Sequence, residues 1–243
     1  MRRLIIVAAA AALSLAAATA NQTNAEMAAT AHTAASQTAQ APKGWSLTGS
    51  HRDNYYLTTD NKVRHGGKTS ATLISKNSAS EDGFGSIKQE IKADNYRGRR
   101  LRYSGYVKAE LATLRTALWM RVEGEDGKIL AFDNMDDRPS KGTTSWKKYE
   151  IVLDVPESAQ HIALGALFEG KGQIWVDDLK LETVGQEVAS TDMNASPELK
   201  QEMEEADEEY RLTRKEEFER SVRQTKERLP AMPARPVNFD FEG

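Results

Sequence analysis

The sequence predicts an all-β sandwich over residues 42–184, and two observations support this fold class. Short apolar stretches alternate with a period of two residues, as they do in strands that bury one face. Turn residues separate these stretches at frequent intervals. Because antiparallel strands of this kind must cover their apolar faces with a second sheet, we expect a sandwich or jelly roll of roughly eight strands.

Six of the strands are predicted most clearly by this alternation. They are Leu101–Ala109, Ala117–Glu123, Lys128–Asn134, Lys148–Val155, His161–Glu169 and Gln173–Glu182. Between the second and third lies Gly124–Gly127, a segment with the glycines that a tight hairpin turn requires.

The outward face of the second strand is the candidate ligand site. Successive side chains alternate across a strand, so Trp119, Arg121 and Glu123 point away from the core, and Tyr106 lies on the neighbouring strand. An aromatic surface flanked by hydrogen-bonding groups is suited to a glycan, which offers both apolar C–H faces and hydroxyls. The alternative is that Trp119 packs beneath a loop.

The segments before the sandwich have a different composition. Residues 1–20 combine two arginines, an apolar run and Ala18-Thr19-Ala20, a pattern typical of a signal peptide cleaved before Asn21. Residues 21–41 are rich in small polar residues and predict a disordered linker. We therefore expect a periplasmic or secreted protein with no transmembrane anchor after cleavage.

The segments after the sandwich are polar and charged. A connector over residues 185–195 leads to Ser196-Pro197-Glu198, which is typical of a helix start. A long charged α-helix is predicted over residues 196–229, followed by a proline-rich tail over 230–243. The helix is acidic in its first half and basic in its second. A solvated helix is one interpretation, and antiparallel pairing as a coiled coil is the other.

Three segments of the sandwich carry a resemblance to a known fold family. They are Pro42-Lys43-Gly44-Trp45-Ser46, then Asp133–Pro139 with Gly142-Thr143-Thr144 and Trp146, and finally Ile174-Trp175-Val176-Asp177-Asp178-Leu179. Together they resemble the galactose-binding-like jelly rolls, which include bacterial carbohydrate-binding modules and similar domains fused to secreted peptidases and regulators. The resemblance covers Pro42 to Val184, and its motifs are more specific for the fold than for the function.

The resemblance also draws attention to the C-terminus. Such modules open with a strand similar to Asn-Leu-Asp-Phe-Glu, and here that pattern stands last, as Asn238–Gly243. In one interpretation residues 238–242 form a strand that completes the sandwich, within the chain or in a partner as a strand-exchanged homodimer. In the other, the segment is the idle start of a further module.

A structural calcium ion is implied by the same resemblance. Members of the fold often hold calcium where the first and last strands meet, and the corresponding oxygen ligands are Glu242 and Asp177 or Asp178. The alternative is that both aspartates end a strand in solvent.

Catalysis is not expected. The sequence contains no cysteine, nucleophile elbow, metalloprotease motif or phosphate-binding loop, although paired carboxylates of a hydrolase are compatible with it. A net charge of −3 argues against nucleic acid as a partner. The expected function is a non-catalytic secreted or periplasmic binding module for carbohydrate or another envelope ligand. The alternatives are an assembly protein that self-associates through its helix and C-terminal strand, and a remnant of a larger secreted hydrolase.

Overall fold

The computed structural model of the chain describes residues 40–193 and 201–243, except for residues 77, 78, 80–82, 202, 203, 206, 207 and 210. The predicted signal peptide, nearly all of the predicted linker and the helix start at Ser196 lie outside the described residues, so those three remain predictions.

The described chain is dominated by nine antiparallel strands. They are β1 (Ser46–Thr48), β2 (Tyr55–Asp60), β3 (Ser70–Ser75), β4 (Phe84–Lys92), β5 (Arg99–Glu123), β6 (Ile129–Asp133), β7 (Ser140–Val155), β8 (His161–Glu169) and β9 (Gln173–Val184). Three short 3-10 turns stand at Arg52–Asn54, Glu125–Gly127 and Leu229–Ala231, and helix α1 spans Lys215–Arg228. Alternating strands of this kind confirm the all-β class predicted from the period of two.

Strand β5 belongs to both layers of the sandwich. Its first half, residues 99–110, pairs with β7 and β9, and β9 continues to β3 and β2. Its second half, residues 116–123, pairs with β6 and β8, and β8 continues to β4 and β1. The strands thus form one nearly closed sheet in two layers, which are called the front layer (β1, β4, β8, second half of β5, β6) and the back layer (β2, β3, β9, first half of β5, β7). This is a jelly roll, as predicted.

The crossing explains why one strand was predicted as two. The pairing of β5 with β7 shifts register between Ala109, Ala112 and Thr116, and Leu111 has a positive φ of 52°. Bulges of this kind bend a strand and increase its local twist. The bulged stretch between the two halves has no regular alternation, so the sequence pattern breaks where the pairing shifts register, although the strand continues.

The core lies between the two layers. Leu118, Met120 and Val122 of β5 are fully buried there, as their alternation with Trp119 and Arg121 predicts. The hairpin at Gly124–Gly127 is also confirmed: it joins β5 to β6, with positive φ at Asp126 (54°) and Gly127 (73°).

The prediction of one continuous helix over residues 196–229 is wrong at Arg214. Arg214 has φ −124° and ψ 35°, outside the helical region, and it separates α1 from the helical residues among 201–213. None of the residues of α1 is buried, so tertiary packing does not hold the two segments in line. Among the described residues, we find no helix that is long and apolar enough to cross a bilayer.

The C-terminal segment completes the core of its own chain, but not as a strand. Phe241 is 2% exposed, and its ring centroid lies 5.3 Å from that of Trp45. The carbonyl oxygen of Asn238 accepts a hydrogen bond from Trp45 Nε1 at 2.9 Å. Phe239 also contacts Trp45, with centroids 5.6 Å apart, and its carbonyl accepts the N–H of Leu179 at 3.3 Å.

The prediction of a strand over residues 238–242 is therefore wrong. Asn238 and Phe241 have positive φ values of 50° and 57°, so the segment is a turn that inserts two aromatic rings instead of pairing with an edge. The rings reach the core of the same chain, so the core is filled without strand exchange with a second copy.

We predict that Phe241→Ala lowers the free energy of unfolding by about 3 kcal/mol, the usual cost of removing a buried aromatic ring. The measurement is urea unfolding followed by tryptophan fluorescence, since Trp45 contacts this ring. Leu212→Ala is the matched control, because Leu212 is 75% exposed and the change is expected to cost less than about 0.5 kcal/mol. Equal stabilities of the two variants would show that the C-terminal segment does not support the core.

Candidate functional site

A groove of about 290 Å³ lies on the outer face of the front layer. Three aromatic residues, Phe84, Trp119 and Phe132, line it from strands β4, β5 and β6. The polar residues that line it are Thr48, Ser86, Lys88, Arg115, Arg121, Asn134 and Glu169. Aromatic rings interleaved with hydrogen-bonding side chains are the usual lining of a small-molecule site.

Trp119 is held in a fixed position at the floor of this groove. Its indole Nε1 donates a hydrogen bond to Ser86 Oγ at 2.8 Å, and Gly165 is its partner across the β5–β8 ladder. A Cβ at Gly165 would press against both the Ile87 carbonyl and the indole nitrogen. The indole is half-buried and lines the groove, so the structure places this residue in the predicted outward position.

Arg115 was missed by the sequence analysis. Its guanidinium donates from Nε and Nη2 to Glu169 Oε1 at 3.1 and 2.7 Å, and it also pairs with Asp136. A guanidinium held in this way is fixed in orientation, with a donor fork suited to oxygen atoms of a ligand. Arg115 lies four residues before Trp119 and therefore on the same face of the strand. The sequence could have indicated it, but the predicted strand began only at Ala117.

Arg121 and Glu123 meet a buried histidine at the end of the groove. Arg121 Nη2 lies 2.5 Å from Glu123 Oε1, and His161 Nε2 lies 3.3 Å from Glu123 Oε2. Burial alone would raise the pKa of Glu123, but the hydrogen bond from His161 and the charge of Arg121 lower it to about 2. Arg121 borders the groove, whereas Glu123 faces a second cavity beneath helix α1.

The structure does not bring Tyr106 to the groove that Trp119 and Arg121 line. Tyr106 lies in the back layer, because β5 crosses between the layers between Tyr106 and Trp119. Its ring stacks on His65 at a centroid distance of 3.6 Å, and Trp146 meets His65 edge-on at 5.7 Å.

The predicted calcium ligands converge on one loop, residues 65–69. Asp177 Oδ2 accepts the backbone N–H groups of His65 and Gly66 at 2.7 and 3.0 Å. Glu242 Oε1 accepts the N–H groups of Lys68 and Thr69. The C-terminus and strand β9 thus hold the same loop from two sides.

Asp178 contacts the same loop through a side chain. Its Oδ2 lies 2.6 Å from His65 Nδ1, so the two side chains form an ion pair or hydrogen bond. Burial raises the pKa of Asp177. Within the described ranges, no group of three or more acidic, histidine or cysteine side chains is arranged to hold a metal ion. A cation here would depend on two carboxylates and on backbone carbonyls.

The acidic cluster at the end of β6 fixes a loop. Arg138 Nη2 donates to the buried Asp133 Oδ2 at 2.6 Å, and Arg138 Nη1 donates to Asp137 Oδ1 at 2.7 Å. Asp133 Oδ1 also accepts the N–H of Met135 at 2.7 Å. These carboxylates are used in internal pairing.

Comparison with curated proteins finds a relative that is named as a transcriptional regulator. A stretch of 157 residues is 41% identical to the Bacillus subtilis (strain 168) protein named "Uncharacterized HTH-type transcriptional regulator YbfP". The stretch covers 65% of this chain and 53% of that protein, so the chain spans about half the length of its relative. No protein-family model matches the chain.

Comparison with solved structures finds carbohydrate-binding modules. The CBM22-1 xylan-binding domain from Paenibacillus barcinonensis Xyn10C is 14% identical, with a TM-score of 0.45 over 60% of this chain and 90% of that chain. The TmCBM61 domain in complex with β-1,4-galactotriose is 15% identical, with a TM-score of 0.41 over 59% of this chain and 91% of that chain. At these values the likeness does not bear on function. The jelly-roll class itself rests on the strand order described above.

The expected function is contradicted by the curated relative. A secreted or periplasmic module for a carbohydrate or other envelope ligand would act away from DNA, whereas the relative is named for transcriptional regulation. The residues that resemble a galactose-binding-like jelly roll predicted the fold correctly, and the functional interpretation failed because one fold serves many functions.

We predict that Glu123 stabilises the folded chain in a pH-dependent manner. Because its folded pKa is about 2, below the ordinary value of 4.5, the carboxylate contributes stability above pH 4.5 and loses it as the pH falls towards 2. Glu123→Gln removes the negative charge that pairs with Arg121 and leaves one acceptor oxygen where there were two, so it is expected to cost about 3 kcal/mol at neutral pH.

The measurement is urea unfolding of both proteins at about pH 7 and about pH 3. The difference between parent and variant should shrink at the lower pH. Glu125→Gln, an exposed position in the same hairpin, is the control and should change stability by less than about 0.5 kcal/mol. An unchanged difference at both pH values would contradict the role given to Glu123.

Proposed function

We propose that this chain is a ligand-sensing module of the regulator type, which binds a small polar organic molecule in the groove of its front layer. The observation that carries the proposal is the fixed indole of Trp119, which is half-buried in the groove and hydrogen-bonded through Nε1 to Ser86. An indole held in this way offers a flat apolar face to a ligand at little entropic cost.

The charges around the groove support a ligand with several hydroxyl, amide or similar groups. Arg115 and Arg121 supply donors, and Glu169 and Asn134 supply acceptors. Both arginines are already paired with carboxylates, so the groove has no strong excess of one charge. Recognition by alternating donors and acceptors fits a neutral polar molecule better than a bare anion.

The curated relative supports the regulatory part of the proposal. A stretch of 157 residues in a chain of 243 includes residues 87–157 wherever it is placed, and these hold the whole of β5, β6 and β7. A regulator that responds to a small molecule needs an effector site distinct from its DNA site. We assign the effector site to this shared jelly roll, and the activity of the whole relative remains a proposal for this chain.

We predict that Trp119→Ala abolishes ligand binding in the groove. The experiment is a thermal-shift screen of the full chain against neutral oligosaccharides, sugar acids, polyols and nucleosides. A ligand at 100 times its dissociation constant stabilises the folded state by about 2.7 kcal/mol, so a true ligand should raise the melting temperature clearly. The shift should disappear in Trp119→Ala and weaken in Arg115→Lys, which loses the donor fork.

Trp146→Ala is the matched control, because Trp146 is a half-buried tryptophan of the back layer. It should retain the full shift. A ligand that binds Trp119→Ala as tightly as the parent would refute the groove as the sensing site.

We also propose that a calcium ion binds where Glu242 and Asp177 meet the loop 65–69. The two carboxylates converge there, and a Cβ at Gly67 would collide with the Glu242 carboxylate, so glycine leaves room for close approach. Calcium takes carboxylate and backbone carbonyl oxygens together, and the loop can supply the second kind. The ion would hold the C-terminal segment to the back layer.

The prediction is that calcium chloride raises the melting temperature relative to the same protein in EDTA, and that magnesium chloride does not. Glu242→Gln should remove the effect, whereas Asp178→Asn should retain it, because Asp178 pairs with His65. Identical melting temperatures of the parent with calcium and with EDTA would rule out the ion.

A further inference from the structure

A second cavity, of about 380 Å³, lies between helix α1 and the edge of the front layer. Its floor is formed by Arg121, Glu123 and His161, and its roof by one face of the helix. The volume is within the range of small-molecule sites, whereas packed interiors contain few voids larger than a water molecule. This cavity is separate from the groove of the proposed function.

The helix covers the sheet without packing closely on it. Phe218, Val222, Thr225 and Leu229 follow one another at helical spacing and face the cavity, yet each is only half-buried. An amphipathic helix is normally stabilised by burying this face. Here the apolar face borders open volume, which a ligand with an apolar body would fill.

Polar contacts hold the helix at its C-terminal end. Lys226 Nζ lies 2.6 Å from Asp126 Oδ1, and Arg228 Nη1 lies 2.7 Å from Glu90 Oε2. Beyond the helix, the N–H of Lys92 donates to the Pro233 carbonyl at 2.9 Å. The roof is therefore fixed at one end, while its other end begins at the non-helical residue Arg214.

The floor of the cavity is electrostatically balanced but incompletely hydrogen-bonded. Arg121 and Glu123 form an ion pair, His161 Nε2 lies 3.3 Å from Glu123 Oε2, and the side chain of His161 is 3% exposed. Arg121 Nε is buried without a hydrogen-bond partner, whereas Glu123 Oε1 contacts Arg121 Nη2. This N–H is a donor that an oxygen atom of a bound molecule would satisfy.

We propose that this cavity is a second binding site, for a small neutral molecule that combines an apolar body with a hydroxyl or amide group. Phe218 and Val222 would contact the apolar body. The polar group would meet Thr225 and the Arg121–Glu123 pair, which together offer both donors and acceptors. A charged ligand is disfavoured, because the cations and anions at the floor and at the Lys226–Asp126 pair already balance.

The location of the cavity would allow a molecule bound there to influence ligand binding in the groove. Arg121 borders both the groove and the cavity, so one guanidinium contacts both volumes. A molecule in the cavity would fix helix α1 on the sheet. Groove occupancy would then be coupled to the C-terminal segment of the chain by a shared side chain.

The absence of cysteine from the sequence permits a direct test by disulfide capture. Thr225→Cys places a thiol on the cavity side of α1, and Gln224→Cys places the matched control thiol on its exposed side. Each full-chain variant is incubated with disulfide fragments that carry benzyl alcohol, cyclohexanol, benzamide, benzoate or benzylamine groups. Capture is measured by intact-protein mass spectrometry under partly reducing conditions.

We expect the neutral fragments to be captured by Thr225→Cys at least about tenfold more than by Gln224→Cys, and more than the two charged fragments. Adding Val222→Trp should fill the cavity and remove the preference, and Ser221→Phe serves the same purpose if the first variant does not fold. Adding Trp119→Ala should retain it, because Trp119 lines only the groove.

Three results would overturn the proposal. They are equal capture by the two single-cysteine variants, a preference for the charged fragments, and a preference that survives filling of the cavity. Failure of the groove proposal would leave this test unaffected, since the capture site is on the helix.

Discussion

The architecture depends on a single long strand that changes layers. Arg99–Glu123 pairs with β7 and β9 in its first half and with β6 and β8 in its second, so it joins both halves of the sandwich covalently. The bulged stretch around Leu111 makes this passage feasible by bending the backbone. The same strand then directs Leu118 and Met120 into the core and Trp119 into the groove, so the recognition surface and the core share one backbone.

The sequence predicted those parts of the molecule that depend on local alternation. The parity of Trp119 and Arg121 placed both side chains on the outer face, and the glycines around Asp126 placed the hairpin. It could not predict that Tyr106 lies in the opposite layer, because layer crossing is a property of long-range pairing. Arg115 escaped for a related reason: its stretch lost the alternating pattern where the strand is irregular.

The C-terminal segment shows the same division between local and long-range information. Its alternating phenylalanines predicted, as one of two interpretations, a strand that completes the sandwich; Phe241 is buried against Trp45, but without strand pairing. The backbone conformation was not predictable, since the segment has positive φ values at Asn238 and Phe241 and contacts residues distant in sequence, among them Trp45 and Thr69. Likewise, the break at Arg214 lies in a stretch of good helix formers, where propensity alone favours continuity.

The position of Phe241 and Trp45 also constrains when the domain can mature during synthesis. Trp45 stands near the start of the jelly roll and Phe241 almost two hundred residues later, and their rings share one pocket of the core. A nascent chain emerges in order from its N-terminus, so the early strands can pair on the ribosome while that pocket stays open. The ring of Trp45 therefore stays partly hydrated until Phe241 has been synthesised and can pack against it.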